Sequence, residues 1–154
     1  MATTEGPVEV QGSGQHGVVS AARPDGAGSM VEVWELWNDT TVTLGQRDST
    51  AAVWSVALPR GATDFSGGEG DVSAGSLVAR GGKVFLNAPF GPGVKQMSYS
   101  YSLPPGAFPL GLPSDKPTVV LEVLLEEPDA QVAGANLRSM PAATTGGRTF
   151  KRFL

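Results

Sequence analysis

The only histidine of the chain, His16, lies in the glycine-rich run GSGQHG (12–17), which matches the nucleotide-binding pattern G-x-G-x-x-G. That pattern binds a pyrophosphate only where a helix begins directly after it. Here it is followed by VVSAARPDG, whose two β-branched valines and proline disfavour a helix. We therefore predict a plain glycine loop with a solvated histidine, in preference to a nucleotide site, a triad base or a zinc ligand.

Carboxylates gather at two points in the sequence. Asp64, Glu69 and Asp71 lie among glycines in the stretch 60–75, but the D-x-D-x-D-G spacing of calcium loops is missing. The run EEPD (126–129) places its glutamates on adjacent strand positions, which point to opposite faces and do not suit a glycosidase pair. An exposed acidic turn and a solvated strand end are the favoured interpretations, with calcium binding by the stretch 60–75 as the alternative.

Three tryptophans, Trp34, Trp37 and Trp54, would suit carbohydrate binding if their rings shared one platform. Trp34 and Trp37 are separated by an odd number of positions, so a regular strand projects them to opposite faces. This spacing favours core packing, with sugar binding as the alternative. The triplet Asn38-Asp39-Thr40 also matches the pattern of an N-glycosylation site.

Composition limits the fold more than it limits the function. A chain of 154 residues fits one domain, and 21 glycines with 12 prolines disfavour long helices. There is no cysteine, which excludes disulfides and thiolate sites. The sequence contains no apolar run long enough for a membrane helix and no signal-peptide pattern at its beginning.

Alternating apolar residues predict several strands. VKQMSYSYSLP (94–104) has one apolar and one serine-rich face, whereas MVEVWELWN (30–38) is apolar on both faces and is predicted to be buried on both sides. Gly81-Gly82 separates two extended segments, as in a two-residue hairpin. Eight or nine short strands separated by Gly/Pro turns predict an all-β, antiparallel β-sandwich.

The order of these segments resembles a bacterial immunoglobulin-like domain over residues 8–137, of the kind found beside carboxypeptidase-regulatory-like modules. The size, acidic body and terminal tail are also similar to a membrane-extrinsic polypeptide of bacterial photosynthetic reaction centre–light-harvesting complexes. The resemblances imply an immunoglobulin-like sandwich that acts as a non-enzymatic structural subunit, membrane-associated and on the periplasmic side. They provide no catalytic, metal or cofactor residue for this sequence.

The chain ends in GGRTFKRFL (146–154), which combines apolar and cationic residues. From Arg138 onward there are four bases and no acid, so the rest of the chain carries seven bases against fifteen acids. An acidic body repels nucleic acid, whereas a basic tail attracts acidic protein or lipid surfaces.

We therefore predict three regions: a flexible segment 1–7, the sandwich 8–137, and an extended docking tail 138–154. The tail is predicted to bind protein subunits of a larger complex, or an acidic membrane surface, and no small-molecule substrate or cofactor is expected. The predicted partner-binding residues are Arg148, Phe150, Lys151, Arg152, Phe153 and Leu154.

Overall fold

The computed structural model of the chain describes residues 12–20, 27–45, 52–106, 118–126 and 137–154. The predicted flexible segment 1–7 lies outside the described residues. The described part contains ten strands and one short 3₁₀ turn, Ala74–Ser76. The strands are β1 Gly12–Ser20, β2 Gly28–Asn38, β3 Trp54–Ala57, β4 Thr63–Gly67, β5 Leu77–Arg80, β6 Lys83–Leu86, β7 Gly93–Leu103, β8 Thr118–Leu125, β9 Ser139–Thr145 and β10 Arg148–Phe153.

The strands form two sheets, which confirms the predicted all-β, sandwich-like fold. The large sheet has the order β4-β7-β2-β1-β8-β10-β9, and the small sheet has the order β3-β6-β5. The rings of Trp34 on β2 and Trp54 on β3 pack edge to face between the two sheets, with their centres 5.0 Å apart. The pairing is antiparallel, as predicted, except between β1 and β8, which run parallel.

The core is built on the inward faces of β2 and β7, which pair along their full length. Met97, Tyr99, Tyr101 and Leu103 of β7 are buried, and the serines between them face outward, as predicted. The prediction for β2 was wrong on one face. Its outward positions include an exposed glutamate, Glu35, and several partly exposed apolar residues.

The glycine-rich run 12–17 is not a loop but most of β1, and this corrects the prediction. β1 pairs with β2 on one side and with β8 on the other, so its backbone hydrogen-bonding groups are satisfied by neighbours distant in sequence. The glycine content of the run does not indicate that β2 and β8 pair with it. Part of the stretch 60–75, for which an exposed acidic turn was favoured, likewise forms β4 against β7.

The segment after β4 packs closely on β7. The backbone N–H of Gly68 donates to the carbonyl of Ser98 at 2.8 Å, and that of Asp71 donates to the carbonyl of Gln96 at 2.7 Å. A Cβ atom at Gly70 would lie 2.6 Å from the carbonyl oxygen of Gln96, so this position requires glycine. The glycines therefore allow the close approach of two backbones.

The last seventeen residues are folded into the large sheet, which contradicts the predicted extended tail. β9 and β10 form a hairpin through Gly146 and Gly147, whose φ angles of +58° and +76° suit a two-residue turn. The predicted hairpin at Gly81-Gly82 is confirmed and has the same signs of φ. β10 then pairs with β8, so the boundary predicted at residue 138 does not separate a tail from the domain.

Candidate functional site

The apolar residues predicted to bind a partner are largely withdrawn from solvent. Phe150 is buried, and Phe153 is partly buried and packs against the core. A bulge in the β9–β10 pairing between Phe150 and Arg152 interrupts the alternation of the strand. The assignment of Phe150 as an exposed anchor was therefore wrong, because the hairpin folds onto the domain and buries the Phe150 side chain there. Leu154 is the most exposed of the three apolar residues.

Two arginines of the hairpin pair with acids, one on β8 and one directly after its end. Arg148 makes two charge-assisted hydrogen bonds to the carboxylate of Glu126, and Arg152 pairs with Glu122. The carboxylate of Glu126 raises the pKa of the Arg148 guanidinium. These acids neutralise much of the charge expected to attract a partner, whereas Lys151 is exposed. The sequence signal that could have predicted this hairpin is the Gly146-Gly147 pair, because it is the same Gly-Gly turn that was predicted at 81–82.

The outward face of the large sheet carries an apolar stripe that the sequence did not assign to a surface. We define the stripe as Val31, Val33 and Trp37 of β2 together with Val94 of β7. Val94 is 66% exposed and Val31 is 37% exposed, and Trp37 lies directly opposite Val94 in the pairing. From Val31 to Trp37 the stripe runs for roughly 20 Å at the usual rise of a strand.

One exposed acid, Glu35, lies within the length of the stripe, between Val33 and Trp37. Glu35 is the only charged residue among the outward positions of β2, and Ser98 and Ser100 of β7 lie opposite the two valines Val33 and Val31. On the other side of β2, Trp37 pairs with Gly12 of β1, which has no side chain to cover the indole. The stripe is thus an accessible apolar surface on the central part of a sheet, a feature typical of interaction sites.

The described residues do not bring the candidate metal ligands together. Among the described residues, no three His, Asp or Glu side chains are grouped closely enough to hold a metal ion. The carboxylate of Asp71 accepts a hydrogen bond from the backbone N–H of Gln96 at 2.8 Å, so it serves the packing of its own loop. His16 lies in β1, where the register places it between Val33 and Glu122.

Two tryptophans are in the core, and they do not form a sugar platform. Trp34 and Trp54 are buried, whereas Trp37 lies on the opposite face of β2, as its odd spacing predicted. The indole N–H of Trp34 donates to the hydroxyl of Tyr99 at 3.0 Å. The hydroxyl of Tyr101 donates to the buried carboxylate of Glu32 at 2.8 Å. Burial, and then the charge of Glu32, raise the pKa of both tyrosines.

Asn38, the first residue of the glycosylation pattern, is a buried structural residue. Its amide donates to the carbonyls of Val42 at 2.8 Å and Phe90 at 3.2 Å, and its oxygen accepts from the backbone N–H and hydroxyl of Thr40. An amide nitrogen held in this way is not presented to a glycosylating enzyme in the folded protein. The side chain instead fixes the turn after β2.

We expect Asn38→Ala to lower the free energy of unfolding by about 2 kcal/mol, because it removes the hydrogen bonds that the buried side chain makes to the carbonyls of Val42 and Phe90 and to Thr40. Urea denaturation followed by tryptophan fluorescence measures this loss. Thr41→Ala is the control, since Thr41 is exposed in the same turn and its replacement is expected to change stability by less than about 0.5 kcal/mol. Equal stability of the two variants would contradict the structural role of Asn38.

Comparison with known proteins adds little to this geometry. No protein family matches the sequence, and no curated protein sequence matches it. The fold is similar to a crystal structure of an M1 zinc metallopeptidase from Deinococcus radiodurans, with a TM-score of 0.45 and 17% sequence identity. The alignment covers 94% of this chain and 38% of the metallopeptidase chain, and a likeness this distant assigns neither an activity nor a metal. Within the described residues, no helix is long and apolar enough to span a membrane.

Proposed function

We propose that the protein is a non-enzymatic structural subunit that docks on a larger, membrane-associated protein assembly. The resemblances noted above imply a periplasmic-side assembly such as a photosynthetic reaction centre–light-harvesting complex, and that placement is part of the proposal. The observation that supports docking is the apolar stripe of Val31, Val33, Trp37 and Val94. The proposed contact therefore lies on the outer face of the large sheet, in place of the docking tail predicted from the sequence.

The stripe has the physical properties of a protein contact. An aromatic residue lies beside aliphatic ones, Ser98 and Ser100 lie opposite the two valines, and one exposed acid, Glu35, lies between Val33 and Trp37. Interface centres are enriched in aromatic residues and depleted of charge, because a charge buried on docking loses its hydration.

The test compares a double variant with a single-site control in the native source. We expect Val31→Thr combined with Val94→Thr to reduce co-sedimentation with its native membrane assembly at least roughly tenfold, because two hydroxyl groups would be buried on docking. Val78→Thr is the matched control, since Val78 lies on β5 of the small sheet and is 37% exposed, as is Val31. Threonine keeps the β-branched shape, so all variants should fold.

The outcomes separate the proposal from its alternatives. Loss of co-sedimentation in the Val31/Val94 variant alone supports the stripe as the docking surface. Equal retention of all variants in the assembly would place the contact elsewhere, and recovery of the parent protein as a free species in every fraction would refute the structural-subunit function.

A further inference from the structure

A groove of about 460 Å³ opens where the edge of the large sheet meets the β5–β6 hairpin. Its walls come from the turn 59–62, from β4 and from Ala79 to Gly82, and Tyr101 of β7 contributes to the lining. The volume lies within the range of ordinary small-molecule sites. Because Tyr101 faces inward on β7, the groove lies on the inner side of the large sheet, and the stripe occupies the outer side.

The groove is apolar inside and charged at its rim. Leu58, Ala62 and Phe65 line it and pack against the core, whereas Arg60 and Asp64 are exposed. The hydroxyl of Tyr101 is engaged as a donor to Glu32, so it does not supply a proton to a ligand. Such a site suits a molecule with an apolar body and a single polar end.

The backbone around the groove has a fixed and unusual shape. The N–H of Ala62 donates to the carbonyl of Pro59 at 3.2 Å, and Gly61 has φ +83°, which together close a tight turn with Arg60 near its tip. Asp64 has φ +56° and is the only non-glycine residue with positive φ among the described residues. Such backbone costs free energy and is found disproportionately at binding sites.

The charged residues around the groove indicate which charge its ligand would carry. Two arginines, Arg60 and Arg80, line the groove together with one acid, Asp64, although the whole chain carries a net charge of −4. A guanidinium is well shaped to hold a carboxylate through two hydrogen bonds. The nearby carboxylate of Asp64 disfavours a second negative charge.

The geometry points to a binding site for a small organic monocarboxylate, with its apolar body against Phe65 and its carboxylate at Arg60. This site is separate from the proposed docking surface and does not depend on it. The groove would give the domain a ligand-binding property that its docking role does not require.

The test is an amide-resolved NMR titration of the full chain with benzoate as the probe and benzyl alcohol as its neutral counterpart. We expect benzoate to shift the amides of residues 60–65 and 79–82, and to bind roughly tenfold more tightly than benzyl alcohol. Arg60→Ala should weaken benzoate binding roughly tenfold without changing the binding of benzyl alcohol. Arg138→Ala is the matched control, because Arg138 is exposed at the start of the β9–β10 hairpin.

Three results would overturn the proposal: no shifts at the groove, equal binding of the acid and the alcohol, or equal binding by the parent and Arg60→Ala. Arg60→Gln provides a second variant if the alanine variant loses its dispersed spectrum. Shifts at the stripe in place of the groove would also refute the assignment. These results are independent of the docking test, because that test changes residues on the opposite face of the large sheet and measures co-sedimentation.

Discussion

Replacing Phe150 with alanine is expected to lower the free energy of unfolding by about 3–5 kcal/mol, the usual loss for a buried aromatic residue. Phe150 is 6% exposed, and the guanidinium of Arg148 lies 5.7 Å from the centre of its ring. Truncation removes the contacts of the ring and leaves a cavity under the β9–β10 hairpin. Urea denaturation with two probes, fluorescence and far-ultraviolet circular dichroism, measures the loss.

The control for Phe150→Ala is Leu154→Ala, because Leu154 is 38% exposed at the end of the same hairpin. We expect that variant to change stability by less than about 0.5 kcal/mol. Removal of residues 146–154 should be more damaging than either substitution, since it deletes β10 and uncovers the edge of β8. Unchanged stability of Phe150→Ala, together with loss of the native assembly, would instead restore the hypothesis of a free docking tail.

Raising the pH above about 10 is expected to destabilise the protein by up to about 1.4 kcal/mol per pH unit for each of its two tyrosines. Burial and the charge of Glu32 raise the pKa of Tyr99 and of Tyr101 in the folded state. Above the ordinary tyrosine pKa of 10.0, the unfolded chain releases protons that the folded chain retains. Stability is therefore complete below pH 10 and falls as the pH rises further.

Tyrosinate absorbance measures this behaviour directly, because the chain has no other tyrosine. We expect no tyrosinate signal until the protein unfolds, and then a cooperative increase that coincides with loss of near-ultraviolet circular dichroism. Tyr101→Phe should reduce the slope of stability against pH above 10 by about half, because one of the two groups is removed. A tyrosinate signal with a midpoint near 10 in folded protein would contradict the buried pair.

The sequence was informative where apolar alternation and turn residues act locally. The serine-rich face of β7 and the Gly81-Gly82 hairpin required only period-two patterning and a turn that needs positive φ. The opposite faces of Trp34 and Trp37 followed from the same pleat. These features depend on neighbouring residues alone, which is why they could be predicted.

The failures concern pairing between distant segments. β1 is a central strand because β2 and β8 satisfy its backbone on both sides, and nothing within GSGQHG indicates them. The hairpin that contains Phe150 was mistaken for a tail because a bulge disrupts its alternation, and because its two arginines pair with the distant acids Glu122 and Glu126. The outer face of β2 was taken as buried because an apolar pattern does not distinguish burial within the chain from a surface available to a partner.

The parallel pairing of β1 with β8 has a consequence for the order in which the chain assembles. Gly12–Ser20 is translated well before its partner Thr118–Leu125, because β2 to β7 lie between them in the sequence. The middle of the large sheet therefore stays incomplete until β8 has been translated. A nascent chain in this state exposes an unpaired strand edge, and chaperones or slow translation would protect it from aggregation.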